Sequence, residues 1–180
     1  MELPRWVGQA FALSLTLSYW RQLGLAFLLG SFAVATWSDL KRLSAQREFL
    51  EIWLAFLAAM VAIDVYDVRV REAAWQAPAV KWGLIVLLSL FSVERLRLPY
   101  RLFRLAPADA AALAAAASLL TPILIVLLYV GAKALSKLIG PLLRRGKYYP
   151  FMPVVSLATV GVLAAALLWQ AARGGPIVAP

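Results

Sequence analysis

Six apolar runs, at about residues 23–37, 49–66, 79–93, 108–120, 122–140 and 150–169, fill most of a 180-residue chain, with short charged or turn-forming segments between them. Runs of this kind favour helices that satisfy their own N–H and C=O groups, as lipid requires. Hydrophobic residues make up 63% of the chain and mean hydropathy is +0.81, well beyond the apolar share of a soluble domain. The expectation is an all-α integral membrane protein, a bundle of about six transmembrane helices forming one domain over residues 23–170.

The flanks read differently. Residues 6–20 are apolar but short, and Arg21 and Gln22 divide them from the first full run. Residues 1–22 are therefore expected as an N-terminal amphipathic or partial-span segment, and residues 171–180 as a C-terminal tail. The opening Met-Glu-Leu-Pro-Arg-Trp has no basic n-region and no small-residue cleavage site follows the first apolar run, so these residues are expected in the mature protein.

Charge sets an orientation. The net charge is +9, but the basic residues stand in clusters between apolar runs rather than along one polar face, which argues for topology and against nucleic-acid binding. Lys41, Arg42 and Arg47 follow the first run; Arg95, Arg97, Arg101 and Arg104 the third; Arg144, Arg145 and Lys147 the fifth. The opposite connections hold Arg69 and Arg71 and little else. By the positive-inside rule the richer side is cytoplasmic.

The chain has no Cys and no His, which removes disulfides and the usual zinc and haem ligands; no metal or cofactor is expected. Chemistry must then rest on carboxylates, hydroxyls or amines. Two acids stand out because both belong to the basic side: Asp39 in Trp-Ser-Asp-Leu-Lys-Arg, closing the first run, and Asp109 in Ala-Pro-Ala-Asp, opening the fourth. Each has an ordinary explanation, as a solvated boundary charge for Asp39 and as a helix N-terminal dipole partner for Asp109. Asp64 and Asp67, near the outer end of the second run, read as interfacial. Lys133 and Lys137, four residues apart, read as an anchoring stripe.

Ser38-Asp39-Leu40-Lys41-Arg42 resembles the first catalytic motif of the archaeal-type prepilin or preflagellin peptidases, polytopic aspartyl proteases related to type IV prepilin peptidases. Ala106-Pro107-Ala108-Asp109, followed by an Ala-rich run and Pro122, is similar to that family's second motif, Gly-x-Gly-Asp. Tyr149-Pro150-Phe151-Met152-Pro153 looks like its Pro-Phe-x-Pro element. The likeness covers about residues 23–170. Ala106 and Ala108 stand where the family has glycines, and the Pro-Asn that often follows the first motif is missing at Ser44 to Arg47.

The resemblance implies a membrane aspartyl endopeptidase that cleaves class III signal peptides of prepilins or pre-archaellins at the cytoplasmic face of the cell membrane. Asp39 and Asp109 would be catalytic, and Lys41, Arg42, Ala106, Pro107, Ala108, Pro150, Phe151 and Pro153 would be substrate-contacting or supporting residues. The substrate would carry a basic leader and a hydrophobic helix. Two carboxylates brought together share one proton, since both cannot ionise cheaply. Reasoning from each acid's own helix makes Asp109, at a helix N-terminus, the base and Asp39, at a C-terminus, the acid. Two other classes stay open: an inactive peptidase-fold scaffold, suggested by Ala106 and Ala108, and a small membrane transporter.

Overall fold

The computed structural model describes residues 4–15, 17–42, 47–94, 102–143 and 149–173. These form α1 (Arg5–Ala10), α2 (Tyr19–Arg42), α3 (Arg47–Val70), α4 (Gln76–Leu90), α5 (Pro107–Ser118), α6 (Pro122–Leu143) and α7 (Met152–Ala172). Among the described residues there is no strand, and the protein is a multi-pass helical membrane protein.

Four helices, α2, α3, α6 and α7, are long and apolar enough to cross a membrane, not the six expected. The remaining two runs are helical but short. With 15 and 12 residues, α4 and α5 reach roughly 22 and 18 Å at about 1.5 Å per residue, against a hydrocarbon core of about 30 Å. The apolar runs 79–93 and 108–120 are themselves about as short as these helices, so counting each as a span is what fails; Phe91, Ser92, Leu119 and Leu120 already lie in turns. Pro107 starts α5, and Pro122 starts α6, at positions where proline's missing N–H is not needed.

Arg21 and Gln22 do not separate an N-terminal segment from the first span: α2 begins at Tyr19 and runs through both. A cation is tolerated there because it is neutralised. Arg21 Nη2 donates to Asp64 Oδ1 at 2.7 Å and to Asp67 Oδ2 at 2.8 Å on α3. Asp64 Oδ2 in turn takes the Lys81 ammonium and a hydrogen bond from Trp82 Nε1 at 2.7 Å, both on α4. Lys81 Nζ also reaches Ser118 O, at the end of α5, at 3.2 Å. One carboxylate therefore ties α2, α3 and α4 together and, through Lys81, the foot of α5. Asp64 and Asp67 are not simply interfacial; Asp64 is buried.

At the centre lies α5, in contact with α2, α3, α4, α6 and α7. Every residue from Ala110 to Ser118 is buried, as expected for a helix apolar on all sides. Alanine is what makes this possible, because a methyl lets five neighbours approach where a larger side chain would hold them off. Larger groups fill the periphery. Trp53, fully buried, meets Phe32 edge-on with centroids 5.7 Å apart and donates to Ser31 Oγ at 3.1 Å. Between α2 and α3, a Cβ at Gly24 would stand 3.3 Å from the Phe56 ring.

Asp64→Ala is expected to leave Arg21 and Lys81 short of their shared partner in a buried site, a loss of roughly 3–5 kcal/mol. Arg71→Ala removes only a 60% exposed charge 3.6 Å from Asp67, worth under about 0.5 kcal/mol. Thermal unfolding in detergent separates the two; equal midpoints would show that the Asp64 cluster does not hold the bundle.

Candidate active site

Alternation of the helices brings the end of α2, the start of α5 and the start of α7 to one end of the bundle. Asp39 lies three residues before the end of α2 and is 5% exposed. Its Oδ2 accepts the backbone N–H of Met152, the first residue of α7, at 3.1 Å. No side chain of α7's own sequence caps that terminus, so an acid 113 positions away fills the place of an N-cap. The N-terminal dipole of α7 favours the Asp39 anion.

Asp109 is the third residue of α5, partly buried. It stands close enough to Asp39 for the two charges to repel. Among the described residues no backbone N–H reaches its carboxylate. The two acids are thus neighbours in unlike settings, one held by an amide donor and the other not.

The segment before Asp109 is pinned at both ends. Leu105 N–H donates to Ser92 O at 2.9 Å, Glu94 N–H to Leu105 O at 3.2 Å and Leu102 N–H to Phe91 O at 3.0 Å, and Val93 bridges Leu105. Ala106 then takes φ −63° and ψ 154°, extended backbone that any L-residue adopts. Ala108 is helical and 8% exposed, its methyl in the core. Neither position asks for the freedom of glycine. Ala106 and Pro107 are exposed at the mouth of the site.

Other candidate residues divide. Pro150, Phe151 and Pro153 are buried, and they act by building the entry to α7 that Asp39 binds. Lys41 is exposed and its ammonium lies 4.5 Å from the centre of the Trp37 ring; among the described residues it forms no ion pair with Asp39. Arg42 ends α2, and its side chain lies outside the described residues, as do Arg95, Arg97, Arg101, Arg144, Arg145 and Lys147.

Lys133, which its spacing to Lys137 predicts as an anchor, is instead a tie between segments. Its ammonium binds Leu102 O and lies 4.9 Å from the centre of the Phe103 ring, while Lys137 is exposed. Phe103 packs edge-on to Phe151 with centroids 5.6 Å apart. Lys133 therefore fastens the segment leading to Asp109 against the segment leading to α7. A cation inside an apolar helix run was the available signal, because such residues face the bundle interior.

No protein-family model, curated protein or solved structure matches this chain. A cleft of about 290 Å³ lies at the other end of the bundle, lined among others by Arg21, Asp64, Asp67 and Lys81. Those four charges are committed to one another, which marks that end as structural.

Because the chain has no cysteine, an Asp39→Cys/Asp109→Cys double variant offers a clean test of proximity. A short bis-thiol reagent is expected to link the pair within one chain, and not Asp39→Cys with Trp75→Cys, at the far end; failure of the first link would separate the acids. The α7 cap has its own test. Asp39→Ala is expected to lower stability by about 1 kcal/mol, and Asp39→Asn, which keeps an acceptor oxygen, by less. Equal losses in thermal unfolding would remove the capping role.

Proposed function

We propose that the chain is a membrane aspartyl endopeptidase of the prepilin or preflagellin peptidase kind, acting on class III signal peptides at the cytoplasmic face of the cell membrane. The observation that carries this reading is the meeting of Asp39 and Asp109 at one end of the bundle. They stand at the same end in mutual electrostatic reach, with a backbone donor fixing one of them. The basic clusters of the sequence, which follow the first, third and fifth apolar runs, support a cytoplasmic orientation for the side of Asp39 and Asp109.

In the proposed reaction the Asp39 carboxylate, its Oδ2 already engaged by Met152 N–H, takes a proton from water. The water oxygen bonds to the scissile carbonyl carbon while protonated Asp109 gives its proton to the carbonyl oxygen. Collapse of the tetrahedral intermediate breaks the C–N bond. The leaving nitrogen takes the proton from Asp39, and the gem-diol returns one to Asp109, leaving an amine and a carboxylic acid. This reverses the roles suggested by each acid's own helix, because the donor that favours the Asp39 anion belongs to α7. The substrate's hydrophobic helix would lie in the bilayer beside the bundle, with its basic leader in the cytoplasm.

The scaffold alternative draws on Ala106 and Ala108, and the unstrained backbone at both positions weakens it. A transporter gains no support from Arg21, Asp64, Asp67 and Lys81, which neutralise one another.

Co-expression with a tagged class III prepilin or pre-archaellin tests the proposal. Wild type is expected to cleave it, and Asp39→Asn and Asp109→Asn each to lose roughly a thousandfold or more at unchanged membrane abundance. If wild type leaves several such substrates intact, the protein is the non-catalytic scaffold.

A further inference from the structure

Tyr149 begins the segment that leads into α7, two residues before Phe151. Its ring meets Phe151 edge-on, with centroids 6.1 Å apart. On its other side lies Gly140 of α6, where an added Cβ would come within 3.4 Å of the ring and 3.6 Å of the hydroxyl oxygen. A side chain at position 140 would crowd the phenol, so glycine there provides its seat.

The hydroxyl itself is anomalous. It is buried and completes no hydrogen bond among the described residues. Ser136 is near enough to influence its ionisation without standing in hydrogen-bonding geometry, and the charge of Asp109 also reaches it. A buried hydroxyl left unpaired costs about 1–3 kcal/mol, and buried polar groups are nearly always satisfied. A ring set against Phe151 and Gly140, three residues before the Met152 amide that Asp39 binds, with a donor unused among the described residues, is arranged for a partner that arrives with the substrate.

We propose that Tyr149 is a further catalytic residue, whose phenolic hydroxyl donates a hydrogen bond to the scissile carbonyl oxygen as that oxygen gains charge. This rests on the peptidase reading above. The oxygen then has two donors: Asp109, which transfers its proton, and Tyr149, which keeps its own. Burial pushes the phenol's ionisation above its ordinary range by more than the nearby Ser136 hydroxyl lowers it, and the Asp109 charge adds a smaller rise; it remains a donor at neutral pH. Donors pre-placed in this way are worth most when charge develops away from water.

The Tyr149→Phe variant keeps the ring and removes only the hydroxyl. Cleavage of the tagged prepilin in membranes should show kcat lowered about 100-fold, with KM within about twofold of wild type. Thermal unfolding should be unchanged or slightly improved, because an unpaired buried hydroxyl has been removed. A lower unfolding temperature with kcat retained would make Tyr149 structural and overturn the proposal. So would full kcat in Tyr149→Phe beside inactive Asp39→Asn and Asp109→Asn, an outcome that leaves the peptidase reading standing. Absence of cleavage by wild type would overturn both.

Discussion

Asp64 supports the rest of the structure, because the short helices of this bundle have little else to fix their height. A helix such as α5, alanine on nearly every face, makes contacts that hardly change when it slides by a turn. Burial alone would leave its position poorly determined. The Arg21–Asp64–Lys81 chain supplies the missing register: it ties α2, α3 and α4 at one end, and the Lys81 bond to Ser118 O holds the last turn of α5 to the same point. About 14 Å along α5, at about 1.5 Å per residue, the same helix presents Asp109. A charge cluster at one end thus positions an acid at the other.

The opposite end is organised by trans contacts between segments distant in the chain. Asp39 caps α7; Lys133 of α6 fastens Leu102; Phe103 packs on Phe151. Each links one of the three segments that meet there. A site of this kind needs little flexibility of its own, since the acids stand on helices and the connecting segment is hydrogen-bonded at both ends. A buried side-chain polar atom left without a partner is therefore informative, and among the described residues Tyr149 Oη is such an atom.

How much of this was legible beforehand differs by residue. Asp39 and Asp109 were legible because alternation of apolar runs, counted with the basic clusters, assigns both to one side. Asp64 and Asp67 were misjudged because a run-by-run reading places them at a span end without seeing Arg21 beside them. Lys133 was misjudged for the converse reason: its spacing to Lys137 suggested a shared face, and helix spacing cannot tell an inward cation from an outward one. The span count of six fails at α4 and α5 because hydropathy marks both runs as apolar, while their length, which the sequence already shows, falls short of the hydrocarbon core.

The sequence by itself determined that the chain is a helical membrane protein, where its helices begin and end to within a few residues, and which ends of them share a side. Those properties follow from local hydropathy, proline placement and charge counting, each a sum over neighbours in the chain. Only the tertiary structure decided that Arg21 belongs to the first span, neutralised by Asp64 and Asp67. It also decided that the Asp39 anion is held by the amide of Met152 and that Tyr149 is left with an unused hydroxyl. These depend on groups separated by tens to more than a hundred positions, whose electrostatics and packing exist only once the helices are side by side.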